Sequence, residues 1–353
     1  MLLKLDDIII YSLLAFFLSL ILYPLYIKLL EKIKAGKTIR EDSTSGGKAE
    51  IFSKLHQHKT GTPTMGGGLI IFVVAVLVLF SYVLNWLGLI TFTLVERSET
   101  YIILFAFFSM GFLGLIDDYL NIKGVGKVKG LTAKMKILWM FLFSAFISYW
   151  FYFRLGVSHI DLRPLFGTVD LGFFYILFTF ILTVTIVNAI NITDGLDGLV
   201  GGLMIIVLFV LGIITFFYGW YLATTVIGVV LGATLAFLWF NINPAKIFLG
   251  DSGALAFGGL VSSLIYLIDI RVGILLPFLI LFAVFFLEIT TSFIQIFFKR
   301  VFNKKIFPIA PFHHLLEYKG YPEHTIVMKL WVLQGVLAGV TLIMIFYQFH
   351  LVP

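Results

Sequence analysis

The chain has 353 residues, of which 60% are hydrophobic and only 12% charged, and its formal net charge is +6. This composition excludes an ordinary soluble domain, and the absence of cysteine excludes disulfides, thiolate metal sites and cysteine nucleophiles. Apolar runs of about 20 residues recur, each long enough to cross a bilayer as a helix. The sequence therefore predicts an all-α integral membrane protein with a single polytopic membrane domain over residues 1–353.

Ten transmembrane helices are predicted, which would place both termini on the same side of the membrane. The ninth is longer than one bilayer crossing needs, so we expect it to tilt or bend. Between the fourth and fifth, the stretch His159–Leu171 alternates in polarity around a Pro and a Gly, which predicts a small hairpin. The ten spans run roughly over residues 8–30, 66–90, 101–116, 135–153, 171–190, 200–217, 221–240, 254–270, 272–298 and 330–350.

The basic residues indicate which loops face the cytoplasm. Eighteen Lys and Arg residues fall in the odd-numbered loops, against five in the even-numbered loops and termini. Cytoplasmic loops carry the excess of positive charge, so the odd-numbered loops are predicted to be cytoplasmic and both termini outside. Acids near the outer loops, including Asp161 and Asp269, are expected to be ordinary solvated groups.

Two adjacent carboxylates, Asp117 and Asp118, close the third apolar run. One acid at the end of a span is common, but two neighbouring acids repel each other unless they share a cation or a basic residue. Acids kept near hydrocarbon are usually functional. Asp251, in the motif Phe-Leu-Gly-Asp-Ser-Gly, belongs either to a capped loop or to a cation site. Mg²⁺ prefers one or two carboxylates with phosphate oxygens and water, so we predict Asp251 as an Mg²⁺ ligand.

A segment dense in Asn, Asp and Gly follows the fifth span. A Gly-rich turn with a capping Asp would account for one of its acids. It would not account for two Asn and two Asp at a spacing of three, which would face one direction and suit a polar, multi-hydroxyl ligand. Nearby, the aromatic side chain of Phe248, before the Asp251 turn, could stack on a nucleobase. These residues are Asn188, Asn191, Asp194 and Asp197, with Phe248 as the aromatic.

Two further segments could contact phosphate. The glycine-rich stretch Thr62–Gly68 follows Lys59 and is either a helix entry or an anion site at a helix N-terminus. The pair His313 and His314 could bind a transition metal or a phosphate, although no third metal ligand is obvious. Glu288 falls in the cytoplasmic half of the ninth span. The five Asp and both His also fall on the cytoplasmic side, so the active site is predicted on that face.

Taken together, these motifs resemble the MraY family, the phospho-N-acetylmuramoyl-pentapeptide transferases of the polyprenyl-phosphate N-acetylhexosamine-1-phosphate transferase superfamily. The resemblance extends over most of the chain. The family usually has three consecutive histidines, and Leu315 occupies the third position here. The matching segments are Thr62–Gly67, Asp117-Asp118-Tyr119, Asn188 through Gly198, Phe240-Asn241 with Gly250-Asp251, and Ala310-Pro-Phe-His-His.

The resemblance implies an Mg²⁺-dependent enzyme of the bacterial inner (cytoplasmic) membrane. It would transfer phospho-N-acetylmuramoyl-pentapeptide from UDP-N-acetylmuramoyl-pentapeptide to undecaprenyl phosphate, giving lipid I and UMP for peptidoglycan synthesis. A homodimer in the lipid bilayer is implied, and no nucleic acid is expected as a partner. The implied catalytic residues are Asp117, Asp118, Asp251 and His313. Lys59, Lys136, His313 and His314 would handle phosphates, Glu288 would line the cavity, and Asn188, Asn191, Asp194, Asp197, Asn241 and Phe248 would form the nucleoside side.

Two alternatives remain open at the level of sequence. One is a UDP-GlcNAc-dependent GlcNAc-1-phosphate transferase of the same superfamily, against which the Ala-Pro-Phe-His-His segment speaks. The other is a secondary transporter, which would place its coupling acids near the bilayer midplane and often contain inverted repeats. Here the acids cluster toward one interface and no internal repeat is found.

Overall fold

The architecture is a bundle of long helices with one small hairpin, in a computed structural model that describes residues 5–36, 59–96, 98–124, 130–163 and 165–351. Eight basic residues behind the predicted orientation lie outside these described residues: Lys4, Lys37, Arg40, Lys48, Lys54, Arg97, Lys127 and Lys129. The elements in chain order are α1 (Leu5–Lys32), α2 (Gly66–Trp86), α3 (Ser98–Lys123), α4 (Ala133–Tyr149) with a π-helical turn (Trp150–Arg154), β1 (His159–Asp161), β2 (Thr168–Asp170), α5 (Phe174–Thr193), α6 (Leu199–Phe217), α7 (Tyr221–Asn241), α8 (Gly250–Val272), α9 (Leu275–Leu281), α10 (Ala283–Phe302), α11 (Phe312–Tyr318) and α12 (Glu323–Leu351).

The predicted all-helical, multi-span membrane architecture is confirmed. Within the described ranges, nine helices are long and apolar enough to cross a bilayer, and ten if the bent pair α9 and α10 counts as one span. That pair meets at an angle of 75°, which is the bend expected in the ninth span. Apolar length alone identifies these helices because hydrocarbon leaves the backbone no partner other than itself.

Two predicted boundaries differ from the structure at the candidate site acids. The third span was predicted to end at residue 116, but α3 continues to Lys123, so Asp117 and Asp118 lie inside a helix. Asp251 was expected in a loop and instead lies in the first turn of α8. A prediction from hydropathy ends a span at the first charged residue. The backbone can continue as a helix past that residue when the charged side chains have partners on neighbouring helices.

Close helix crossings bring the site acids together. α8 is buried along nearly its whole length and packs against α3, α2 and α5. A methyl group added to Gly67 of α2 would overlap the backbone of Gly253, and one added to Gly114 of α3 would overlap the carbonyl of Asp251. Because only glycine allows this approach, the end of α3 lies directly against the beginning of α8.

The hairpin lies at the opposite end of the bundle from these crossings. Its strands are antiparallel, with His159 paired to Asp170, as the alternating pattern predicts. The expectation that Asp161 and Asp269 are solvated is wrong, since they are 2% and 6% exposed. Asp269 accepts hydrogen bonds from the backbone N–H of Asp161 (3.0 Å) and of Leu275 (3.2 Å). The carboxylate is buried because it ties the hairpin and the α8–α9 link to the end of α8.

Candidate active site

A cluster of charged side chains lies where the end of α3 meets the beginnings of α4 and α8. The Lys136 ammonium lies 2.9 Å from Asp117 Oδ2 and also forms an ion pair with Asp251 Oδ2. Asp117 Oδ1 accepts a hydrogen bond from the backbone N–H of Leu131 (2.6 Å), and Asp251 Oδ1 accepts one from Asn191 Nδ2 (2.8 Å). Four helices therefore contribute to one cluster, whose three acids (counting Asp118) outnumber its single ammonium.

Asp118 has a different environment from its neighbour Asp117. Its two oxygens accept hydrogen bonds from the backbone N–H groups of Asp251 (3.0 Å) and Ser252 (2.9 Å), and the residue is only 3% exposed. These amides belong to the first turn of α8, whose N–H groups have no partner within the helix. Asp118, a residue of α3, therefore caps the N-terminus of α8 and fixes the position of Asp251 in its first turn.

A second charged group forms around the loop between α5 and α6. Lys59 Nζ lies 2.7 Å from Asp197 Oδ1 and 2.5 Å from Glu323 Oε1. The other oxygen of Asp197 accepts hydrogen bonds from Asn243 Nδ2 and from the backbone N–H of Ala245, both at 3.0 Å. Lys59 is thus neutralised by two carboxylates and is only 8% exposed.

Asn241, the last residue of α7, and Phe248, in the segment between α7 and α8, join this second group. Asn241 Oδ1 accepts a hydrogen bond from the backbone N–H of Gly198 (3.0 Å), while its Nδ2 donates to the carbonyl of Ile247 (2.8 Å). The Lys59 ammonium lies 6.0 Å from the centroid of the Phe248 ring. The amide of Asn241 therefore connects the Gly-rich loop after α5 to the segment that precedes Asp251.

The two histidines are held by separate carboxylates. His313 Nδ1 lies 3.0 Å from Glu288 Oε2, and both residues are fully buried. The other ring nitrogen of His313 faces Gly195, where an added methyl group would overlap it. His314 Nδ1 lies 2.6 Å from Glu317 Oε2. His313 therefore packs beneath the same loop that carries Asp197, with its Nδ1 committed to Glu288.

Two of the predicted nucleoside-binding residues, Asn188 and Asp194, have contacts within or at the end of their own helix. Asn188 donates a hydrogen bond to the carbonyl of Val184 in its own helix (2.7 Å) and lies against the sulfur of Met140. Asp194 ends α5, where its backbone N–H donates to the carbonyl of Asn191 (3.3 Å). Asn191 and Asp197 reach the charged clusters, through Asp251 and through Lys59 and Asn243.

The sequence left open that the glycine-rich N-terminus of α2 binds an anion. The first two amides of this helix do not do so, because both already have partners within the protein. The backbone N–H groups of Gly66 and Gly67 donate to the carbonyls of Phe248 and Leu249, both at 2.8 Å. The entry is a packing contact with the segment before α8. It places the following residue of that segment, Gly250, against Asp118.

Sequence reasoning missed two residues of the second charged group, Glu323 and Asn243. An acid in the first turn of a helix is ordinary, because the helix dipole favours it there, so Glu323 carried no functional signal. Asn243 precedes a proline, which is a usual position in a turn. Only the folded chain shows that both side chains meet at Asp197.

The residues around Lys136 fit a hard divalent cation. Among the residues that the structure describes, no three His, Cys, Asp or Glu side chains form a ready-made metal cluster. Mg²⁺ needs less, since one or two carboxylates suffice when phosphate and water complete its coordination. Asp117 and Asp251 converge on one ammonium, which marks a position that attracts a cation. Their oxygen donors are of the kind that Mg²⁺ prefers.

Comparison with known proteins finds a family model that matches the part of the chain containing the charged cluster. Residues 100–269, which carry Asp117, Lys136, Asn191 and Asp251, match the family model described as glycosyl transferase family 4. The match extends from α3 to near the end of α8.

Full-length relatives define the family more narrowly. A phospho-N-acetylmuramoyl-pentapeptide-transferase of Petrotoga mobilis is 35% identical over 331 residues, covering 93% of this chain and 95% of the relative. Enzymes of the same name from Geobacillus sp. (strain WCH70) and Listeria monocytogenes are 34% and 33% identical over 321 residues, covering 90% of this chain and 91% of each relative. The chain belongs to the phospho-N-acetylmuramoyl-pentapeptide-transferase family.

Proposed function

We propose that this protein transfers phospho-N-acetylmuramoyl-pentapeptide from UDP-N-acetylmuramoyl-pentapeptide to undecaprenyl phosphate, giving lipid I and UMP. The observation that carries the proposal is the convergence of Asp117, Asp251 and Lys136 at one end of a membrane bundle. A reaction between a soluble nucleotide and a membrane lipid needs its charged groups at such an interface. The family membership supplies the identity of the two substrates.

The site is proposed to face the cytoplasm of a bacterium, in the inner membrane, with both termini outside and ten spans. The support is the excess of Lys and Arg in loops and helix ends at the same end as the acids, among them Lys123, Lys246 and Lys319. The nucleotide substrate is cytoplasmic, which agrees with this orientation. A homodimer is proposed from the family resemblance alone.

In the reaction, an oxygen of the lipid phosphate attacks the sugar-linked phosphorus of the nucleotide substrate. A new P–O bond forms, the bond between this phosphorus and the bridging oxygen breaks, and UMP leaves with that oxygen. Transfers of this kind depend mostly on positioning and on neutralising charge. Lys136 supplies a positive charge between Asp117 and Asp251, and Asn191 holds Asp251 in place.

Asp117 acts on the attacking phosphate either as a general base or as an orienting acid. A phosphate oxygen needs little activation near neutral pH, so removal of a proton is a small part of the barrier. Its hydrogen bond from the Leu131 backbone fixes one oxygen and leaves the other directed at Lys136. We favour orientation of the lipid phosphate through Lys136 as the larger contribution of Asp117.

Mg²⁺ is proposed as the cofactor, held by Asp251 with Asp117 beside it. When bound, the ion would neutralise the phosphate oxygens on which negative charge accumulates during transfer. The nucleoside side is proposed to be the group around Asp197, which includes Asn241 at the end of α7 and Phe248 shortly before α8. His313 supports this side from beneath Gly195.

The direct test is release of UMP by the purified protein in detergent from UDP-N-acetylmuramoyl-pentapeptide. We expect release only when both undecaprenyl phosphate and Mg²⁺ are present. Turnover of UDP-GlcNAc in place of this donor would instead favour a GlcNAc-1-phosphate transferase. Substrate uptake into vesicles without UMP release would indicate a transporter and contradict the proposal.

A further inference from the structure

Glu323, the first residue of α12, contacts two separate parts of the nucleoside side. Its Oε1 accepts hydrogen bonds from Lys59 Nζ (2.5 Å) and from the backbone N–H of Asp197 (2.6 Å). The side chain is 11% exposed, and those of Lys59 and Asp197 are 9% and 4% exposed. One carboxylate oxygen therefore holds a basic side chain and a loop amide together, shielded from water.

The three residues come from distant parts of the chain. Lys59 precedes α2, Asp197 lies in the α5–α6 loop, and Glu323 begins the last long helix. Asp197 is held on its other side by Asn243 and Ala245. Glu323 thus links α12 to both the Lys59 segment and the loop.

The charges explain why this link matters. Asp197 and Glu323 would repel each other without the ammonium between them, and a buried ion pair is costly when one partner is lost. An acid in the first turn of a helix is ordinary, because the helix dipole favours it there. The dipole does not explain two hydrogen bonds from Glu323 to segments outside its own helix.

We propose that Glu323 is a positioning residue for the nucleotide substrate. It fixes Lys59 and the backbone of the Asp197 loop in the arrangement that receives the donor, without touching the reacting phosphates itself. This role rests on the proposed transferase function, since it assigns Glu323 to the donor side of that reaction. The reach of the side chain matters more than its charge, because the oxygen must meet two donors at once.

Three substitutions separate reach from charge. Glu323→Ala removes both hydrogen bonds, Glu323→Gln keeps the reach without the charge, and Glu323→Asp keeps the charge and shortens the side chain. We expect the KM for the nucleotide donor to rise about tenfold or more in the Ala variant, the effect of losing a hydrogen bond to a charged group. The Asp variant should be intermediate and the Gln variant within about threefold of wild type.

The exposed neighbour His324 provides the matched control, because His324→Ala alters the same helical turn and should leave KM unchanged. Should the Ala variant not fold, the comparison of Gln with Asp carries the test. A wild-type KM in both of these would overturn the proposal. So would a larger effect of Gln than of Asp, or a fall in kcat at constant KM.

A measurement independent of activity is the rate at which an amine-reactive ester acylates Lys59, followed by mass spectrometry of the full-length protein. Lys59 should react about threefold faster or more in the Asp and Ala variants, because an ammonium with fewer partners opens to solvent more often. If the wild-type protein released no UMP, the transferase proposal would fail, while faster acylation would still show that Glu323 holds Lys59 in place. Unchanged acylation would overturn that role.

Discussion

At the scale of single residues, Asp117 and Asp118 show how adjacent identical side chains take different roles. Successive residues of a helix point about 100° apart, so the two carboxylates reach different partners. Asp117 pairs with Lys136, whereas Asp118 accepts the first amides of α8. The grouping of both as catalytic residues therefore stays a prediction, and the geometry favours a positioning role for Asp118.

We expect Asp251→Asn to nearly abolish transfer and to raise the Mg²⁺ concentration needed for any remaining activity. A neutral amide is a poor ligand for a hard cation, and the substitution also removes the charge that pairs with Lys136. The measurement is UMP release across a titration of Mg²⁺. Because Asn191 can still hydrogen-bond an amide, the local fold should persist, which a thermal melt would check. Retained activity with an unchanged titration would remove Asp251 from the metal site.

We expect His313→Ala to lower turnover by about ten- to a hundredfold, the effect of losing a hydrogen bond to a charged group. The substitution removes the imidazole contact of the buried Glu288, which keeps the backbone N–H of residue 313 (3.3 Å), and it removes support beneath Gly195. Leu315→His is the matched control and should leave turnover nearly unchanged. The wild-type protein has Leu at this position, so its activity does not depend on a histidine there. Wild-type turnover in His313→Ala would indicate that α11 has a structural role only and takes no part in the reaction.

At the scale of elements, α8 shows how glycines at helix crossings determine which polar groups meet at the site. It crosses α2 and α3 at glycines, and these crossings allow the Asp118 carboxylate to reach the first turn of α8. Larger residues would separate the helices and leave both the amides of α8 and the Asp118 carboxylate unsatisfied. The bend between α9 and α10 similarly allows Glu288 of α10 to reach His313 of the short helix α11.

We expect Gly67→Ala to destabilise the protein by about 1–3 kcal/mol, the usual cost of overpacking a tight contact. The added methyl group would meet the backbone of Gly253, which cannot rotate away as a side chain can. Gly212→Ala in α6 is the control, because its methyl group would lie 3.5 Å from Ile227, an ordinary contact. Thermal unfolding in detergent compares the two. Equal melting temperatures for both variants would contradict the close crossing.

At the scale of the whole molecule, the site side chains gather at one end because successive long helices alternate in direction. The ends of α3, α5 and α7 and the beginnings of α4, α6 and α8 share that end, and they carry the site acids. The hairpin and the α8–α9 link lie at the other end. The orientation of the bundle therefore decides which compartment supplies the charged substrate.

The cysteine-free chain offers a direct test of this orientation, because each introduced thiol is the only one present. Lys319 at the site end and Thr168 in β2 are both exposed. In intact cells, a membrane-impermeant maleimide should label Thr168→Cys and should label Lys319→Cys only after permeabilisation. Labelling in the opposite order would place the site outside and contradict the proposed orientation.

The sequence by itself determined the features that depend on local chemistry. Apolar length identified the helices, because hydrocarbon forces the backbone to satisfy its own hydrogen bonds. Acids at the ends of apolar runs identified Asp117 and Asp251 as candidates, since such charges are costly unless they have partners. Alternation around a Pro and a Gly identified the hairpin.

Only the tertiary structure decided which polar groups are partners. Asp118 as a cap of α8, the burial of Asp269 and the double contact of Glu323 all depend on segments far apart in the chain. An Asp or Glu at a helix end has the same local pattern whether water or a distant amide satisfies it. Here the helix crossings at glycines determine which partner each side chain has. They set which helix ends come close enough for their polar groups to form hydrogen bonds.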